Sequence, residues 1–117
     1  MNAQHEEILI QGFKDAARAA EEAARSSLED GGACNFDTPA FRVDRVSNGK
    51  FRALVAPSGL TVSEFTWRGG KKWLWLNLPS YGQGNRRTRA SQAAVNVLER
   101  LVTQVPGLRV FHYMQMD

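Results

Sequence analysis

The chain has 117 residues, 43% of them apolar and 23% charged, with a formal net charge of +3; this is the size and composition of one globular domain, at ~100–200 residues each, and not of a disordered tail. Its single cysteine excludes an intramolecular disulfide framework and a zinc finger built on several cysteines. No apolar run reaches the ~18 residues of a membrane helix and no secretory pattern is visible, so a soluble cytoplasmic protein with no membrane partner is expected.

Residues 3–29 form the first predicted helix. Leu9, Phe13, Ala16, Ala20, Ala24 and Leu28 recur at three- and four-residue steps and draw one apolar stripe. Alanine dominates it, which raises helix propensity and makes the buried face shallow. Gly31 and Gly32 end it. The segment is acidic: residues 1–37 hold eight acidic and three basic side chains, whereas residues 38–117 hold twelve basic and four acidic. Such a split suits a polyanionic or acidic partner, or else a helix that neutralises the basic sheet beneath it.

A polar connector, Cys34 to Pro39, leads into the strands. Phe41 to Val46 and Phe51 to Ala56 flank Asn48-Gly49, the strongest short hairpin signal, because both turn residues need positive φ. Leu60 to Trp67 and Lys72 to Leu78 flank Gly69-Gly70 as a second hairpin. After this meander over 40–78 come a loop rich in Pro, Ser, Gly and Asn, a helix over 88–104 and a strand over 108–114. The helix stripe is Ala90, Ala94, Val97, Leu98, Leu101 and Val105, and Pro106-Gly107 ends it. The order α-β-β-β-β-α-β predicts an α+β fold over 1–117: one antiparallel sheet of four to five strands with two helices on one face.

Pairing across Gly69-Gly70 sets Thr66 opposite Trp73 and Glu64 opposite Trp75. Side chains alternate along a strand, so Phe65, Leu74, Leu76 and Leu78 share the core face, and Trp73 and Trp75 share the other with Val62, Glu64, Arg68 and Lys71. Two tryptophans beside basic residues suit base stacking or the anchoring of a protein partner. The alternative is that a helix or a dimer mate covers them.

Tyr81-Gly82-Gln83-Gly84-Asn85-Arg86-Arg87-Thr88-Arg89 is the most informative stretch. Glycines let a backbone approach a ligand closely, and a helix N-terminus offers amide donors and a positive dipole end. Arg86, Arg87 and Arg89 add positive charge where the helix itself disfavours it, which points to an anion, phosphate above all. The alternative is a solvated basic turn paired with Glu6, Glu7 or Glu21. Gly82-x-Gly84 is not a dinucleotide fingerprint, since the third glycine is missing, and no Walker lysine follows.

With this loop, with Arg86 and Arg87 opening the last helix and with Ala93-Ala94 behind them, residues 50–101 resemble the double-stranded RNA-binding domain, an α-β-β-β-α fold. The resemblance implies that Arg86 and Arg87 contact phosphates. The loop is one residue shorter than in that family, and one strand within the domain and another after the helix are extra. Trp67 to Pro79 is similar to single-strand-binding transcriptional coactivators, which are dimers of β-β-β-β-α layout. Gly31-Gly32-Ala33-Cys34-Asn35-Phe36-Asp37, the arginine loop and His112-Tyr113-Met114-Gln115-Met116-Asp117 resemble segments of small phage and prophage proteins. Genes of that kind often encode accessory factors, among them anti-CRISPR and other anti-defence inhibitors, which implies the cytoplasm of a bacterial host. No catalytic residue carries over from it.

Cys34 and His112, with Asn35 or Asp37 to orient the imidazole, could be drawn as nucleophile and base. They lie far apart in sequence, and a lone cysteine is usually a small packed hydrophobe. Asn35 and Asp37 equally suit bonds to the connector's backbone, with Phe36 plugging the core. His5 and His112 share no ligand spacing with Asp or Cys, so neither a metal nor a cofactor is expected. The expectation is a non-enzymatic module of phage or mobile-element type, anti-CRISPR-like, that engages nucleic acid or a nucleoprotein complex through Arg68, Lys71, Lys72, Trp73, Trp75, Tyr81, Arg86, Arg87 and Arg89. The competing expectation is a homodimeric interaction or assembly factor that meets its mate through Trp73 and Trp75.

Overall fold

The computed structural model describes residues 1–26, 37–66, 70, 72–79 and 85–113. Helix α1 (Ala3–Ser26), strand β1 (Thr38–Val43), helix α2 (Asn48–Val55), strands β2 (Thr61–Thr66) and β3 (Lys72–Asn77), helix α3 (Asn85–Glu99) and strand β4 (Leu108–Tyr113) follow in that order. The strands form one antiparallel sheet, ordered β2-β3-β1-β4, and the fold is α+β as expected. Among the described residues no helix is long and apolar enough to cross a membrane. Several expectations lie outside the described residues: the Gly31-Gly32 helix stop, the connector residues Cys34, Asn35 and Phe36, Arg68, Gly69, Lys71, the loop from Tyr81 to Gly84, and Met114 onward.

The α1 stripe of Leu9, Phe13, Ala16, Ala20 and Ala24 is buried. Its small side chains let α1 sit close to its neighbours, and at Gly12 a Cβ would overlap the Leu101 side chain. Phe13 meets Phe41 of β1 at 5.1 Å between ring centroids, and Phe41 meets Phe51 of α2 at 5.3 Å. Leu74, Leu76, Val62 and Leu108 complete this core on the helix side of the sheet. Helix α3 begins at Asn85, earlier than the expected Thr88, and ends at Glu99.

The hairpin expected around Asn48-Gly49 is helix α2. The Ser47 hydroxyl accepts the Lys50 amide at 3.1 Å and caps it. Phe51, Leu54 and Val55, at helical spacing, are all buried on one side. A strand here would have turned Leu54 to the face opposite Phe51 and Val55. Lys50 Nζ also pairs with Glu6 of α1. With no strand over 51–56, the meander over 40–78 reduces to the β2–β3 hairpin, and β1, which starts at Thr38, pairs with β3 and β4 instead. The chain leaves β1 through Arg45, whose φ of 66° is left-handed.

The β2–β3 register is also shifted by one residue. Thr66 stands opposite Lys72, Phe65 opposite Trp73, Ser63 opposite Trp75 and Val62 opposite Leu76. A slip of one residue exchanges a strand's faces. Phe65 therefore joins the tryptophan face, while Val62 and Glu64 move to the leucine face. Burial of Val62 in the core, in place of Ser63, is the physical reason.

Candidate functional site

The sheet face turned away from the core is aromatic. Alternation places Phe65 of β2, Trp73 and Trp75 of β3, and Phe111 and Tyr113 of β4 on it, all partly buried. Phe65 stacks on Trp75 at 4.5 Å and 24°, Trp75 meets Tyr113 at 5.4 Å, and Trp73 meets Phe111 edge-on at 4.9 Å. Phe65 and Tyr113, from the two edge strands, are 5.6 Å apart. Ala40 makes this possible. It stands on β1 between Trp75 and Phe111, and its methyl group is wholly buried. A larger side chain there would hold the rings of β3 and β4 apart.

Cations border the rings at one end. The Arg42 guanidinium lies 5.9 Å from the Trp73 ring centroid, within cation–π range. Asp44 anchors it at 2.6 Å and reaches Arg109, opposite Arg42 in the ladder, at 3.9 Å. Arg42 is the more buried partner of its pair with Asp44, with 19% of its side chain exposed against 45% for Asp44. Lys72 is exposed at the same end but on the leucine side, and the aromatic face does not include it. At the opposite end Asn77 donates to Thr61 and Ser63 at 3.2 and 2.9 Å.

The arginine-rich helix start belongs to the other layer. Thr88 donates its hydroxyl to the buried Asp37 carboxylate at 2.5 Å, which ties the first turn of α3 to the start of β1. Arg86 and Arg87 are half-buried, with buried Nε atoms, and Arg89 is exposed. His112, on the leucine side of β4, is within electrostatic reach of Asp37. Burial pushes its pKa below the usual imidazole value, and the Asp37 charge only partly opposes this. The structure thus brings Asp37 and His112 together, with Thr88 as the bonded neighbour; Cys34 and Asn35 lie outside the described residues. It does not bring Arg86 and Arg87 to the face of Trp73 and Trp75.

Sequence reasoning missed Phe65, Arg42, Arg109, Phe111 and Tyr113 as members of the site. The signal for three of them was present: Arg109, Phe111 and Tyr113 alternate in one strand. Among the described residues no group of three or more His, Cys, Asp or Glu side chains could hold a metal ion. The chain matches no protein-family model, no curated protein and no solved structure.

Proposed function

We propose that the chain is a non-enzymatic binding module that holds single-stranded nucleic acid on the aromatic face of its sheet. The observation that carries this reading is the bridge of Phe65, Trp73, Trp75, Phe111 and Tyr113 across the face opposite the helical core, with Arg42 over Trp73. Every base has a π-face, so stacking on such rings tolerates any sequence, and arginines beside them neutralise the backbone. The half-burial of Arg86 and Arg87 favours this face over a double-stranded contact borne by the helix start. Occlusion of a nucleoprotein complex, the anti-CRISPR-like role, would use the same surface. A second reading, a homodimer that mates two aromatic faces, is favoured by the contacts of the rings with one another.

Fluorescence anisotropy of a labelled oligothymidylate tests the proposal. Trp73→Ala should weaken binding by about 5- to 150-fold, the value of one stacked base at ~1–3 kcal/mol. Arg100→Ala, a change on the exposed helical side, should leave the affinity unaltered. No binding by the native chain, or equal binding by Trp73→Ala, refutes the reading.

A further inference from the structure

A cleft of about 360 Å³ opens where the end of β1, the start of β3 and the first turn of α2 meet. Arg42, Arg45 and Lys72 line it, with Phe51 and Leu74 as its apolar floor, and no carboxylate is among its lining residues. The nearby acids are already engaged. Asp44 holds Arg42. Glu64 accepts a hydrogen bond from Asn48, the main reason its pKa is lowered, and pairs with Arg52 at 3.4 Å. Lys72 contributes to that lowering only through space, and neither Lys72 nor Arg45 forms an ion pair among the described residues. Arg45 and Lys72, which form no ion pair among the described residues, thus line the concavity together with Arg42, whose charge Asp44 shares.

Arg42 belongs to both places. Its guanidinium lies over Trp73 on the aromatic face, and it also lines the cleft. Arg42 thus adjoins both the cleft and the end of the ring ladder at Trp73. We infer that the cleft is a phosphate site that captures the phosphorylated end of a strand lying across the aromatic face. A terminal phosphomonoester carries about −1.5 to −2 charges at neutral pH, more than an internal diester, and three acceptor oxygens. It suits a concavity lined by Arg45 and Lys72 beside Arg42 better than a passing backbone does. This inference rests on the single-strand reading above.

The test uses one oligothymidylate with hydroxyl ends, with a 5′-phosphate or with a 3′-phosphate, titrated against the full chain and against the Arg45→Ala/Lys72→Ala variant. One of the phosphorylated forms should bind about tenfold tighter than the hydroxyl form, the scale of one charge-assisted contact. The variant should lose that advantage and keep the affinity for the hydroxyl form within a few-fold. Equal affinity of all three oligonucleotides for the native chain overturns the inference and leaves the single-strand reading intact. So does an advantage that survives in the variant. Should no oligonucleotide bind, the single-strand reading falls, and the cleft is then read with inorganic phosphate: saturable amide shifts at Arg45 to Asn48 keep the anion site, and their absence overturns it.

Discussion

His112 is a side chain whose protonation the fold resists. It pairs across the ladder with Pro39, its Nε2 is buried with no hydrogen-bond partner among the described residues, and burial lowers its pKa despite Asp37. The unfolded chain, with an imidazole pKa of about 6.5, therefore binds this proton more tightly than the native state. Stability from the neutral form is complete above about pH 6.5 and is lost as the pH falls from there toward the lower native value. Below both values the slope from this group vanishes. Urea unfolding should show wild-type stability falling as the pH is lowered through about 6.5 toward the lower native value, and His112→Gln should flatten that fall. Parallel pH dependence in the two proteins would sink the assignment. The imidazole is thus held neutral beside a buried carboxylate that already accepts the Thr88 hydroxyl, an arrangement that joins α3 to β1.

Helix α2 makes a prediction whose sign separates it from a hairpin. In a two-residue turn Gly49 would need positive φ, and alanine there would be strained. In α2 a Cβ at Gly49 meets no atom within 4 Å and the residue is not among the glycines of positive φ. Gly49→Ala should accordingly stabilise the chain by about 0.5–1 kcal/mol, read as a rise of a few degrees in the melting midpoint; a fall would restore the turn. The same segment shows where the sequence could be read and where it could not. α1 and α3 were legible because their apolar spacing follows the helical period, and β2, β3 and β4 because each is a short run rich in β-branched, aromatic and leucine residues bounded by glycine or proline. At 47–55 two local signals compete, Asn48-Gly49 for a turn and Ser47 followed by Phe51, Leu54 and Val55 for a capped helix. Burial against α1 decides between them, and burial is a property of the folded chain. The β2–β3 register escaped for a related reason: five residues separate Thr66 from Lys72, so Gly69-Gly70 does not pin the pairing and Val62 does. Trp73 and Trp75 could be assigned to a face, but their companions on β4 could not, because β4 reaches that face only through its pairing with β1.

The helical layer carries both signs of charge, the acids of α1 and the arginines of α3, whereas the charges beside the rings are mainly those of Arg42 and Arg109. Acidic α1 lies on the helical side, where Glu6 pairs with Lys50, while Arg42 and Arg109 border the rings on the far side of the sheet. Two modes of association therefore differ in their response to salt. Two backbone phosphates met by Arg42 and Arg109 release counterions, and at roughly −0.7 per phosphate on a single strand the logarithm of the association constant should fall with a slope near −1.4 against the logarithm of salt concentration. Arg42→Ala should halve that slope, and a terminal phosphate in the cleft should steepen it. Two aromatic faces pressed together bury apolar area and need no counterion release, so self-association should hold or strengthen as salt is added. Light scattering of the free chain over the same salt series reads this second mode directly. A monomeric mass throughout, together with the steep slope, places the rings in contact with bases. A dimeric mass that rises with salt, with no oligonucleotide bound, places them in contact with a second copy of the chain.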